Sequence, residues 1–159
     1  MHLAERIHVE EAPVGHPLLA RLGAKSAQAE TSSLLEAIPT GVGIWDAEEH
    51  LTKGHAAWQL WDVLHGMKGL GDTTTSKLLA AKRPHLIPIW DSVVGEELFG
   101  GDVNGYWEGW TSWFAGDDGK ALRGAYDGLR TAEVPAFVST LRLVDVVVWM
   151  HRQRRAAAS

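Results

Sequence analysis

No cysteine occurs among the 159 residues, so a secreted scaffold held together by disulfides is excluded. The chain also lacks any run of about eighteen apolar residues, the length a helix needs to cross a bilayer. Its N-terminus shows no basic-then-apolar pattern of a secretory signal. The expectation is a soluble, cytoplasmic protein with no membrane partner. Basic residues are in deficit too: Lys and Arg number 15 against 20 Asp and Glu, a formal net charge of −5. Non-specific coating of nucleic acid rests on an excess of lysine and arginine, so the charge argues against that class but not against a local basic patch.

What the chain has in quantity is tryptophan, eight residues in all, most of which should be core. Its length fits one domain, residues 1–159, with a core large enough to fold alone. Met1 to Arg21 mixes His2, His8 and His16 with Glu5, Glu10 and Glu11. Pro13, Gly15 and Pro17 break any single face that could hold a metal, so residues 1–16 read as a loosely ordered lead-in. From Pro17 to Ile38 the apolar positions suggest two short helices, with Lys25 to Ser33 either joining them or itself helical. Gly41-Val42-Gly43-Ile44-Trp45 is a loop without the spacing of a nucleotide-binding turn, and Trp45 to His55 reads as an exposed connection.

The centre of the sequence is residues 58–94. Trp58 to His65 predicts a short helix in which Trp58, Trp61 and Leu64 share a buried face, with Asp62 at the surface. Gly69-Leu70-Gly71 then makes a tight turn whose glycines can adopt positive φ and leave backbone N–H groups uncovered. A second helix, capped by Asp72 or Thr73, runs through Leu78, Leu79 and Lys82 until Pro84 stops it. A helix, a glycine hairpin and a helix aim amides at an anion, most naturally a nucleic-acid phosphate. The candidate nucleic-acid-binding residues are therefore Gly69, Leu70, Gly71, Thr73, Thr74, Lys77, Lys82 and Arg83. Lys68 and the basic stretch His151-Arg152-Gln153-Arg154-Arg155 could extend that face. Next, Leu86-Ile87-Pro88-Ile89-Trp90 delivers Asp91 to the start of a helix, Ser92 to Phe99, that Gly100-Gly101 ends.

Downstream, Tyr106, Trp107, Trp110, Trp113 and Phe114 form a helical aromatic stripe, either a base-stacking surface or, by preference, core packing. Gly116 to Gly119 reads as a surface turn without calcium-loop spacing, and Ala121 to Arg130 as an amphipathic helix. Ser139 to Arg155 is apolar nearly all round and predicts a buried central helix. Asp145 inside it needs a partner such as Arg142; the alternative is a second acid near Asp91. The fold class expected is all-α, a compact multi-helix domain.

The hairpin, the small-residue helix and the later aspartate resemble the helix-hairpin-helix DNA glycosylase superfamily, which includes endonuclease III and the adenine-mismatch glycosylases. The separation of the last hairpin glycine from the acid, 91 − 71 = 20 residues, is in register with that family. The resemblance implies DNA as partner, a flipped base, and Asp91 as the catalytic residue that cleaves its N-glycosidic bond. Bifunctional members carry a lysine where this chain has Thr73, so a monofunctional enzyme without lyase activity is implied. Without cysteine there can be no iron–sulfur cluster, and no cofactor is expected. The phrases "SKLLAAKRPHLIPIWDSVV" and "LRLVDVVVWM" are similar to those of an uncharacterised bacterial family that implies no established activity. The alternatives to an enzyme are a non-catalytic DNA-binding module, in which Asp91 only caps a helix, and a helical protein-interaction domain.

Overall fold

A computed structural model describes residues 25–158, and every regular element among them is helical. The lead-in and the apolar positions Leu18, Leu19 and Leu22 lie outside the described residues. Seven α-helices follow in order: α1 Lys25–Ala37, α2 Ala56–His65, α3 Asp72–Lys82, α4 Ser92–Phe99, α5 Tyr106–Phe114, α6 Gly116–Asp127 and α7 Thr140–Ala157. None of them is long and apolar enough to cross a membrane. Lys25 to Ser33, open between linker and helix in the sequence, is helix.

Aromatic residues account for the arrangement. Tyr106, Trp107, Trp110 and Phe114 recur at helical spacing on α5 and are all buried. Their rings meet those of other elements, Trp107 with Trp58 at 4.5 Å and with Trp61 at 5.6 Å, and Phe114 with Trp45 at 6.1 Å. Helix α5 therefore carries the core, with α4 and α6 packed beside it, and its stripe is mostly interior.

Three expectations change. Residues 45–55 are not an exposed connection: two 3-10 turns, Ile44–Asp46 and Glu48–Leu51, sink Ile44, Ala47 and Leu51 into the core. Those three apolar residues recur at spacings of three and four, which is enough to bury one side of an otherwise charged segment. Gly116 to Gly119 is not a surface turn but the start of α6, where Asp117 and Asp118 lie in the first turn and complement the helix dipole. Helix α7 is not buried all round. Leu141, Val144, Asp145 and Val148 form one buried stripe, while Val146, Val147, Trp149 and Met150 remain partly exposed. Among the described residues α4 and α6 make its main helix contacts.

Between α3 and α4 the chain turns at residues 84–86 and is then firmly held. Ser76 Oγ of α3 donates to the Thr73 carbonyl and accepts the Trp90 amide at 2.8 Å, and Tyr106 Oη donates to the Ile89 carbonyl at 2.8 Å. Gly95 completes the clamp: a Cβ there would lie 2.9 Å from the Trp90 indole, so only glycine lets that ring rest on α4.

Candidate functional site

Successive side chains of an extended segment point to opposite sides. Ile89 and Asp91 accordingly line one groove, while Trp90, between them, lines a different cavity. The groove has a volume of about 470 Å³ and runs between α3 and α7, closed by Lys77 from the first and Arg142, Asp145, Val146, Trp149 and Met150 from the second. Lys77, Ile89, Arg142 and Asp145 also border a neighbouring apolar pocket of about 240 Å³, floored by Ile87 and Leu141 and overhung by Phe137, which is 80 % exposed. The sequence thus brings two acids, two cations and a run of apolar side chains to one place.

Asp91 stands at the N-cap of α4 with extended backbone, φ −131° and ψ 128°. Its Oδ1 accepts the amides of Val93 at 2.9 Å and Val94 at 3.2 Å, satisfying two orphan donors of the first turn. Both bonds fall on the same oxygen. Oδ2 accepts none among the described residues, and the half-buried carboxylate lines the groove. Asp91 therefore caps a helix and presents an acid at the same time.

Asp145 is 7 % exposed and is paired with Arg142 Nη1 one helical turn earlier. Burial raises its carboxyl above the ordinary value of 3.8, and the Asp91 charge pushes the same way. Arg142 and Lys77 oppose that rise. The two acids thus share a groove but not an environment: one is held by amides, the other is desolvated. Burial also lifts the Tyr106 hydroxyl, which faces this region from α5, above its usual range.

The hairpin keeps the form expected of it, although its cap differs. Gly69 has φ 91°, a conformation glycine adopts without steric cost. Gly69 and Gly71 are exposed, and Leu70 is half-buried. The N-cap of α3 is Gly71, without a side-chain bond. Asp72 lies inside the helix instead and reaches back to His65, Oδ1 to Nε2 at 3.0 Å. The first intrahelical bond is Thr75 N–H to the Gly71 carbonyl at 2.9 Å, so the amides of residues 72–74 precede it and have no partner within the helix. Thr73 and Thr74 are exposed, and Lys77, three and four residues on, follows them along the same face into the groove. Lys82, five residues beyond, is also exposed.

Arg83 is a different matter. It is 9 % exposed, and its guanidinium donates through Nε to the Ile38 carbonyl at 2.7 Å, through Nη1 to the Lys82 carbonyl at 2.8 Å, and through Nη2 to the Leu35 carbonyl. It ties the C-terminus of α1 to the end of α3 and does not reach a phosphate-binding face. At the end of α7, Arg152 and Arg155 both pair with Glu97 on α4. Among the described residues no group of His, Asp and Glu side chains is placed to hold a metal ion.

The sequence reading missed Val146, Trp149 and Met150 as groove residues because it took α7 to be buried on every side.

No curated protein and no solved structure matches the chain significantly. A family model described as a family of unknown function (DUF6308) matches residues 13–152, and the chain belongs to that family.

Proposed function

We propose that this chain binds DNA along the hairpin and the α3–α7 groove and hydrolyses the N-glycosidic bond of a flipped nucleotide there. The reading follows the resemblance to helix-hairpin-helix DNA glycosylases. One observation carries it: two carboxyl groups of unlike environment in one groove, one with a free oxygen beside a helix N-terminus and the other desolvated. The amides of Asp72–Thr74 would hold a backbone phosphate, and Lys77, about 7 Å further along the helix, would take the next contact. In the reaction the bond from C1′ to the base nitrogen breaks and its electron pair leaves with the base. The departing base takes up a proton from solvent. Asp91 lies against the cationic sugar, and a water adding to C1′ gives its proton to Asp91. Thr73 offers no amine, so strand cleavage through a Schiff base is not part of the scheme.

The test is binding to a duplex carrying a positively charged abasic-site analogue beside an undamaged duplex, for wild type and Asp91→Asn at two salt concentrations. Opposite charges 4 Å apart attract by about 4 kcal/mol at an effective dielectric of 20. A third of that gives wild type roughly a tenfold preference for the analogue, lost in Asp91→Asn. Excision assays over a panel of damaged bases follow. Equal, salt-sensitive binding to both duplexes reduces the protein to a binding module in which Asp91 only caps α4. Failure to bind either refutes the nucleic-acid reading.

A further inference from the structure

On the far side of the 89–91 segment from Asp91 lies a second cavity, of about 250 Å³, lined by Trp58, Trp61, Trp90, Tyr106 and Trp107 together with polar side chains. Two aromatic corners meet there. Trp58 and Trp61 from α2 close on Trp107 from α5, the ring centroids 4.5 and 5.6 Å apart and the planes inclined at 44° and 82°. Opposite them Trp90 stands edge-on to Tyr106 at 4.7 Å and 80°. The electron-rich faces of such rings attract a cation.

Asp62 and Asp72 border the cavity, and among the described residues no lysine or arginine does. Asp72 is occupied by His65, whose ring in turn stacks on Trp61 at 5.9 Å. Asp62 has no hydrogen bond or ion pair from its side chain among the described residues, so one carboxylate stands uncompensated at the rim. The same aromatic surface already attracts cations at its edge: Lys53 Nζ lies 5.8 Å over the Trp58 ring, from a position outside the cavity lining. The carboxylates in the lining favour a cationic ligand over an anionic one inside the cavity.

We propose that this cavity is a binding site for a quaternary ammonium group, held by the indoles of Trp58, Trp61, Trp90 and Trp107 and by the Asp62 carboxylate. Two sources share that chemistry, a free choline-like cation and a trimethylated lysine on another protein. The site does not depend on the activity proposed for Asp91.

The experiment is calorimetric titration of the whole chain with choline, with its neutral isostere 3,3-dimethylbutanol, and with a short peptide carrying trimethyllysine or unmodified lysine. Indole N–H signals report binding in parallel. Choline should bind at least about tenfold more tightly than the neutral isostere, because the fit is the same and only the charge differs. Asp62→Asn, at an exposed position, should weaken it roughly threefold, and Trp58→Leu by about tenfold or more. If Trp58→Leu does not fold, Trp58→Phe with Asp62→Asn takes its place. Asp91→Asn should bind choline as wild type does, which keeps failure of this site distinct from failure of the glycosylase reading. Binding by the trimethylated peptide alone supports the site with a protein-borne cation as its ligand. Equal affinity for choline and the isostere, no binding by either cation, or binding untouched by the Asp62 and Trp58 changes would overturn the proposal.

Discussion

Replacing Arg83 by alanine separates two roles that the same residue could play on this chain. As a phosphate contact, its loss would weaken DNA binding and leave the fold alone. The structure instead gives it three carbonyl partners in the interior. Bonds from a charged donor contribute about 1.5–3 kcal/mol each when buried. The three do not count equally. Without Arg83 the Leu35 carbonyl keeps the Ile38 amide at 3.3 Å, and the Lys82 carbonyl is near solvent at a helix end, but the Ile38 carbonyl is stranded. Part of the gain is offset by the cost of desolvating the guanidinium. A loss of about 3–4 kcal/mol follows, which for a chain of this size lowers Tm by roughly 6–16 °C. Arg83→Met, which keeps the volume, should recover a minor part of it. Thermal melts by circular dichroism measure the stability, and the slope of log K against log salt measures phosphate contacts on the folded protein. Arg83→Ala should leave that slope unchanged, while Lys77→Ala should reduce it by about one. An Arg83→Ala protein with wild-type Tm and a slope reduced by one would refute the reasoning.

Asp91 makes a second, independent claim on stability. Asp91→Asn keeps an oxygen for the Val93 and Val94 amides and should cost under about 0.5 kcal/mol, whereas Asp91→Ala should cost about 1 kcal/mol by denaturant titration; equal losses would mean that the cap is immaterial. A third prediction concerns pH. Asp145 is raised in the folded chain, chiefly by burial, so the folded state holds this proton to higher pH than the unfolded chain does. Its contribution to stability is full below the unfolded value near 3.8 and is lost as pH rises through the folded one. Asp145→Asn should therefore gain on wild type as pH climbs from about 4 toward neutrality, and Arg142→Ala, which removes an opposing charge, should steepen the wild-type decline. Parallel Tm profiles for all three proteins would contradict this account.

Some of the molecule is local in origin and was legible for that reason. Gly100 at φ 65° ends α4 where Gly100-Gly101 predicted a stop, because left-handed backbone is a property of the residue itself. The aromatic stripe of α5 announced a buried face through its spacing alone. Asp91 was legible as a cap because the amides it bonds lie two and three residues ahead. Asp145 was legible as a paired acid because Arg142 is one turn away on the same helix.

What adjacency does not carry, only the tertiary structure decided. Arg83 looked like a free cation because its partners, Leu35 and Ile38, are 48 and 45 residues away. Helix α7 looked buried on all sides because composition states how apolar a helix is, not how many neighbours reach it. The meeting of Asp91 with Asp145 and Lys77 required α7 to settle beside α3 after a long excursion of chain. By itself the sequence determined most of the helices around the hairpin and the aromatic stripe, since these follow from bonds and periodicities spanning a few residues. The groove, the aromatic cavity and the split of Trp90 from Asp91 belong to the packed molecule, because a cavity is made by groups that only folding brings within reach of one another.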